Sequence, residues 1–127
     1  MRLVFALLLL LHGIAHLPGF AVAWRMTASN EMPYKTTLLG GRVDVGDAGM
    51  RVMGLLWLAG ALAFVVAAVM TWRASPGWPT LTLVVTLVSL VLSVLAWPDS
   101  RIGLAVNVAI VALLLVGGKA GWFPGSR

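Results

Sequence analysis

The sequence predicts an all-α integral membrane protein: one domain folded as an antiparallel, up-down bundle of four transmembrane helices. Three observations predict this fold class. The 127 residues are 61 % apolar and 10 % charged, whereas soluble domains have about 45–50 % apolar and about 25 % charged residues. Four long runs contain no Asp, Glu, Lys or Arg. Five of the six tryptophans lie at or just beyond the end of a run, and indole rings favour the membrane interface.

The four apolar runs cover residues 3–24, 52–72, 80–97 and 102–118, and each has 17 to 22 residues. A hydrocarbon core about 30 Å thick needs about 20 helical residues. Lipid offers the backbone no hydrogen-bond partner, so a spanning segment is either a helix or a strand of a closed barrel. Barrel strands alternate over about ten residues, and because the runs show no such alternation they predict helices.

The connections between the runs differ in length. Short connections at 73–79 and 98–101 predict that the second, third and fourth helices are antiparallel neighbours. Residues 25–51 form a long polar loop, in which 36–45 is either a hairpin with a two-residue Gly-Gly turn or an irregular loop. A lone hairpin is marginal in water, so it would rest on the end of the bundle where this loop lies, called the mouth below.

We expect a multi-pass protein of the bacterial cytoplasmic (inner) membrane, with both termini in the cytoplasm. Four spans place the two termini on one side, with four Lys or Arg there and five on the other. These counts do not decide orientation by the positive-inside rule, but the cations on the terminal side lie in shorter segments. The first run outlasts the apolar region of a signal peptide, so we expect it to be retained. The net charge of +5 includes no basic patch interleaved with aromatics, so no nucleic acid is expected.

Both histidines of the chain lie in the first run. His12 and His16 are four residues apart, so they project about 40° from each other on one helix face. Ionisable residues inside a membrane usually face the bundle interior and indicate a functional site. Pro18 lacks the N–H that would bond the carbonyl of Ile14, so we expect a kink between them.

Polar residues of the third and fourth runs fall at matching depths. The third run carries four hydroxyl residues at helical spacing, called the hydroxyl seam: Thr82, Thr86, Ser89 and Ser93. By helical rise, Asn107 in the fourth run is level with Ser93. The sequence predicts a ligand-binding polar cleft that opens at the mouth and is lined by His12, His16, Ser89, Ser93, Asn107 and Asp99.

These polar residues have a structural interpretation as well. Ser, Thr, Asn and His commonly join transmembrane helices through hydrogen bonds of about 0.6–2 kcal/mol, and hydroxyls bond back to their own helix at i−4. The structural interpretation is favoured for the hydroxyl seam and the functional one for the histidine pair, while Asn107 fits both.

A metal or haem site is a further interpretation of the histidine pair. His12 and His16 at this spacing can bind Zn, Cu or Fe, and one of them could hold a haem. The sequence has no Cys, no third His and no carboxylate at that depth. Four methionines near the mouth could suit Cu(I): Met26, Met32, Met50 and Met53. Hydrolase and nucleotide-binding motifs are absent from the sequence, which leaves enzymatic activity open but favours a role without it.

The stretch from His12 to Phe20 resembles the H-G-x-x-H-x-x-G-F signature of a family of small bacterial four-span membrane proteins. Residues 54–59 and 97–103, followed by Asn107, are similar to the same group. In architecture the chain also resembles the DoxX-like four-helix proteins, some of which are accessory subunits of membrane oxidoreductases. The resemblance implies that the histidine pair, Asp99 and Asn107 lie in motif stretches.

The expected function is binding or transport of a small or lipid-like ligand in the cleft at His12 and His16. One alternative is an accessory subunit of a larger membrane complex, such as an oxidoreductase. The other is a redox protein that binds haem or a metal through the two histidines. The expected partners are the lipid bilayer and, in addition, either further copies of the chain or a larger membrane complex.

Overall fold

The computed structural model describes residues 1–27, 30 and 32–124, and it is mostly helical. Arg127, one of the four Lys or Arg counted above on the side of the termini, lies outside these residues. The regular elements, in chain order, are α1 (Arg2–Ile14), α2 (Leu17–Ala23), β1 (Thr37–Leu38), β2 (Val43–Asp44), α3 (Gly46–Arg73), α4 (Trp78–Leu95) and α5 (Arg101–Lys119).

The predicted four apolar helices are confirmed. Four helical segments are long and apolar enough to cross a membrane, with mean hydropathies from 2.0 to 2.4: Arg2–Ala23, Gly46–Arg73, Trp78–Leu95 and Arg101–Lys119. The outer surface of the bundle is apolar, as Leu3 and Ile102 illustrate, whereas polar side chains such as Asn107 are buried. This arrangement indicates a multi-pass membrane protein, because polar groups in lipid turn toward the bundle interior.

The first span is broken at Ala15 and His16, which separate α1 from α2. Pro18 occupies the first turn of α2, where its missing N–H removes no helical hydrogen bond. Both helices pack against α3. The contact with α1 is very close at Gly13, because a Cβ there would lie 2.8 Å from the Cβ of Phe64.

The second span begins earlier than predicted. The helix α3 starts at Gly46, whereas the apolar run starts at Val52, and its 28 residues extend about 42 Å. The predicted start at Val52 was wrong because it assumed that the helix ends where charged residues begin. Charged residues are excluded from lipid, but a helix that projects beyond the lipid can contain them. The Asp44 carboxylate accepts the N–H of Gly46 at 2.9 Å. This hydrogen bond holds the pKa of Asp44 below its usual value.

Residues 37–44 form an antiparallel hairpin that rests on the mouth. Its turn has four residues, 39–42, instead of the predicted two. The N–H of Leu39 donates to the Leu95 carbonyl of α4 at 2.8 Å, so the turn is bonded to the bundle. Leu38 is buried against apolar side chains of α3 and α4. The hairpin therefore caps the mouth, where a lone hairpin in water would be marginal.

The end of the bundle away from the mouth is filled by an apolar core. Its buried side chains include Phe5, Leu9, Phe64, Trp78 and Ile110. The rings of Phe5, Trp78 and Phe123 lie with centroids 5.1 to 6.0 Å apart, a favourable separation for aromatic pairs. This core closes one end of the bundle.

We expect Gly13→Ala to destabilise the protein, because the new Cβ would meet the Cβ of Phe64 and, at 3.1 Å, the carbonyl oxygen of Ala61. Overpacking of this kind costs about 1–3 kcal/mol. Thermal unfolding in detergent measures the loss. Gly118→Ala on α5 is the matched control, since its Cβ would have no atom within 4 Å. Equal stabilities of the two variants would contradict the close packing of α1 on α3.

Candidate functional site

The break between α1 and α2 places both imidazoles inside the bundle. His12 and His16 are buried, with 6 % and 2 % of their surface exposed, and their ring centroids are 4.8 Å apart. The backbone N–H of His16 bonds to the carbonyl of Gly13, and the Nδ1–H of the His16 ring donates to the carbonyl of His12 at 2.7 Å. The side chain of His16 therefore takes the carbonyl that its own N–H would bond in an unbroken helix.

The bond to the His12 carbonyl fixes the tautomer of His16. A carbonyl oxygen only accepts, so Nδ1 carries the proton and Nε2 presents a lone pair. The hydroxyl of Ser89 on α4 donates to this Nε2 at 2.7 Å. The first span and α4 are thereby joined through one imidazole.

Asn107 connects α5 to the same group of residues. Its side chain is fully buried, and its Oδ1 accepts from the Nε2–H of His12 at 2.8 Å. Its Nδ2 donates to the hydroxyl oxygens of Ser89 at 3.0 Å and Ser93 at 3.2 Å. Both amide hydrogens are therefore used between helices.

Four residues close a circuit of hydrogen bonds: His12, His16, Ser89 and Asn107. Together with Ser93, which accepts from Asn107, they are called the histidine network. Within the circuit Asn107 donates to Ser89, and Ser89 donates to His16. His16 donates to the carbonyl of His12, whose ring donates back to Asn107. Leaving one of these buried groups unpaired costs about 1–3 kcal/mol. The circuit therefore stabilises the association of the first span, α4 and α5, and it also fixes both tautomers.

The hydroxyl seam is buried throughout, but it divides into two parts. The Thr86 hydroxyl donates to the carbonyl of Thr82 in its own helix, as the structural interpretation expects. The Thr82 hydroxyl is enclosed and has no partner among the residues described. Ser89 and Ser93, the two positions nearer the mouth, belong to the histidine network. Only these two have contacts that suit a site.

A cavity of about 290 Å³ lies between the histidine network and the mouth. Its wall includes His12, His16, Trp57, Ser93, Asp99 and Val106. Four of the six predicted ligand-binding residues therefore line a common space. Ser89 and Asn107 lie behind the wall, where they hold the lining residues in place.

The cavity also opens sideways, between α2 and the start of α5. Ala15, Pro18 and Ile102 line it and are exposed on the outer surface of the bundle. Toward the far end, the two imidazoles bound the cavity, and Phe64 of the apolar core packs behind them, with its ring centroid 4.8 Å from that of His12 and 5.1 Å from that of His16. The cavity is therefore blind at the apolar core and open toward the mouth and the lipid-facing surface.

Two carboxylates at the mouth, Asp47 and Asp99, are paired with cations. Asp99, in the cavity wall, forms an ion pair with Lys35 at 2.7 Å. Arg25 bonds to the hydroxyl of Tyr34 and to the carboxylate of Asp47, and these two bonds raise the pKa of Arg25. The wall of the cavity therefore presents polar groups but no carboxylate without a counter-ion.

The ring nitrogens are mostly occupied, which bears on the predicted metal and haem sites. Three of the four bond within the histidine network, so ligation of one ion by both His12 and His16 would break at least one bond. Within residues 1–27, 30 and 32–124, no group of three His, Cys, Asp or Glu could hold a metal ion.

The predicted methionine cluster is split. Met32, Met50 and Met53 line a smaller cavity of about 50 Å³ beneath the hairpin. Met26 is exposed. Met32 also lines the larger cavity together with His12 and His16. The metal, haem and copper assignments remain predictions.

Trp57 and Gly103 belong to the site but were not predicted. The Trp57 ring lies 5.3 Å from that of His16 between centroids and lines both cavities. A signal for it existed, because it is the one tryptophan placed deep within an apolar run. Gly103 gives no such signal, since a small residue in a span is equally compatible with helix packing.

No protein-family model, no curated protein and no solved structure matches this chain. The resemblance to the four-span family and to DoxX-like proteins therefore stays a prediction.

We expect Asn107→Leu to lower the free energy of unfolding by about 1–3 kcal/mol, because it leaves the Nε2–H of His12 without an acceptor. Thr86→Val, at an equally buried position, removes only a bond within one helix and should change stability by less than about 1 kcal/mol. Unfolding of both variants in mixed detergent micelles measures the difference. Equal losses would show that the network does not hold the helices together.

Proposed function

We propose that this chain is a multi-pass protein of the bacterial cytoplasmic membrane that binds a small or lipid-like ligand in the cavity beside His12 and His16. The observation that supports this most is the position of the cavity. A space of about 290 Å³ adjoins ordered polar groups inside an otherwise apolar bundle. Ligand sites in helical bundles are built in this way, from side chains of facing helices around a mostly apolar space.

A purely structural network would not need this space. The space is open toward the mouth and the lipid-facing surface, so a molecule can enter it from either side. A larger side chain at Gly103 could fill the space, because the nearest atom to a Cβ there is the Ser93 hydroxyl oxygen at 3.6 Å. The sequence instead keeps the smallest residue at this wall position.

The blind end favours binding over passage. Phe64 and the apolar core behind it lie across the path from the cavity to the far end of the bundle, and transport would require this core to open. We place both termini in the cytoplasm, which puts the mouth on the opposite side of the membrane. We further propose assembly of several copies or association with a larger membrane complex. An accessory role in an oxidoreductase rests on the resemblance alone.

The test is retention of a ligand by the protein extracted with its native lipids. Organic extraction and mass spectrometry of the purified wild type should find a small molecule in stoichiometric amount. Gly103→Leu should reduce it by about tenfold or more, equivalent to about 1.4 kcal/mol of binding free energy, because the leucine fills the cavity.

Gly118→Leu is the matched control for this experiment. It adds the same side chain to the same helix, at a position that is exposed and has no neighbour within 4 Å of its Cβ. Ligand retention should equal that of the wild type. A wild type that carries no ligand, or equal loss in both variants, would overturn the proposal.

A further inference from the structure

Two hydrogen-bonding valences of the histidine network are left over on the side of the cavity. The first is the Nδ1 of His12. Because Asn107 Oδ1 can only accept, the proton of the His12 ring is on Nε2, and Nδ1 presents a lone pair. This nitrogen has no partner among the residues that the structure describes.

The His12 Nδ1 is also accessible. In the described chain the side-chain nitrogens and oxygens that are both enclosed and unpartnered are Arg2 Nε, Trp78 Nε1 and Thr82 Oγ1. His12 Nδ1 is not one of them, although the residue as a whole is buried. Since His12 lines the cavity, the accessible edge of its ring faces that space.

The second valence is the hydroxyl hydrogen of Ser93. The oxygen of this hydroxyl accepts from Asn107 Nδ2 at 3.2 Å, and within the described residues its hydrogen has no acceptor. Ser93 lines the same cavity. One lone pair and one O–H donor, both anchored on the amide of Asn107, are therefore offered to whatever occupies the space.

We infer that the ligand is an uncharged molecule with a hydroxyl group, a phenol or an alcohol, on an otherwise apolar body. This inference rests on the proposed function. The ligand hydroxyl donates its hydrogen to His12 Nδ1, and its oxygen accepts the hydrogen of Ser93. A hydroxyl is both donor and acceptor, so one such group has the chemistry to satisfy both valences.

The rest of the cavity agrees with this class of ligand. An apolar cavity of about 150 Å³ is enough for benzene, so about 290 Å³ admits one ring with a short alkyl chain. Trp57 and Val106 provide apolar wall. Asp99 is already paired with Lys35, so the wall offers no free counter-ion that would favour a charged ligand.

The test compares two probes that differ in one hydrogen-bond donor. Calorimetry in lipid nanodiscs measures the affinity of 4-propylphenol and of 4-propylanisole, in which a methyl group replaces the hydroxyl hydrogen. The phenol should bind about tenfold more tightly, as expected for one additional hydrogen bond to an otherwise unpaired acceptor.

Two variants locate the preference at His12. His12→Gln retains an N–H donor toward Asn107 but has no acceptor atom bonded to Cγ, where Nδ1 stands in the imidazole, so the preference for the phenol should fall. Ser93→Ala removes a hydroxyl that both probes can use as a donor. It should weaken the binding of both and leave the preference in place.

Nitrogen-15 NMR of the wild type tests the same contact without any variant. The chain has only two histidines, so four ring-nitrogen signals report the whole site. The phenol should shift the unprotonated Nδ1 signal of His12, and the anisole should not.

The outcomes separate this inference from the proposed function. Equal affinities for the two probes, with no shift at His12 Nδ1, would overturn the hydroxyl inference while leaving a ligand site. If the wild type binds neither probe and also carries no extracted ligand, the proposed function fails with it.

Discussion

The amide of Asn107 is the group on which the polar interior of this bundle depends. It accepts one hydrogen bond from the first span and donates two to α4, while it belongs to α5. In an apolar interior an unpaired amide is expensive, so the helices are favoured in the one register that satisfies it. A single buried polar residue can specify register in this way in helical assemblies. Besides the bond from Ser89 to His16, the other side-chain contacts described between these helices are apolar and less directional.

A local backbone feature decides the chemistry of the imidazoles. Pro18 favours a break in the first span, and the break makes the carbonyl of His12 available to the ring of His16. Because that carbonyl takes the Nδ1–H, the Nε2 of His16 must accept from Ser89. Ser89 then takes a hydrogen from Asn107, whose Oδ1 accepts from His12. The tautomers of both rings thus follow from one proline and one amide.

Much of the fold was predictable because lipid restricts the options. Uncharged runs of about 20 residues become helices in lipid whatever their detailed sequence, and helical spacing was enough to turn the histidine pair and the hydroxyl seam inward. The start of α3 was not predictable from charge, because residues outside lipid follow the rules of ordinary helices. The hairpin turn depends on a bond from Leu39 to Leu95, a contact between distant parts of the chain.

The candidate site was predictable as a set of residues but not as a division of roles. Depth along the helices brought Asn107 level with Ser93, and the structure joins them. Depth could not show that Asn107 and Ser89 lie behind the cavity wall while Trp57 lines it, because this depends on rotation of each helix about its own axis. Side-chain volume decides such rotations: the tryptophan fits where Gly19 leaves room, since a Cβ there would lie 2.8 Å from the indole.

The closure of the network is also the reason that the ligand we propose is a neutral molecule from the membrane and not an ion from water. Inside the circuit every donor has an acceptor, so the protein presents the cavity with one acceptor and one donor and no net charge from the network. The wall residues Ala15, Pro18 and Ile102 are exposed on the apolar outer surface, so the side opening faces lipid. An ion would lose its hydration shell on this route without gaining a counter-ion. A neutral molecule that already partitions into lipid loses little, and it gains the two bonds that the network leaves unmade.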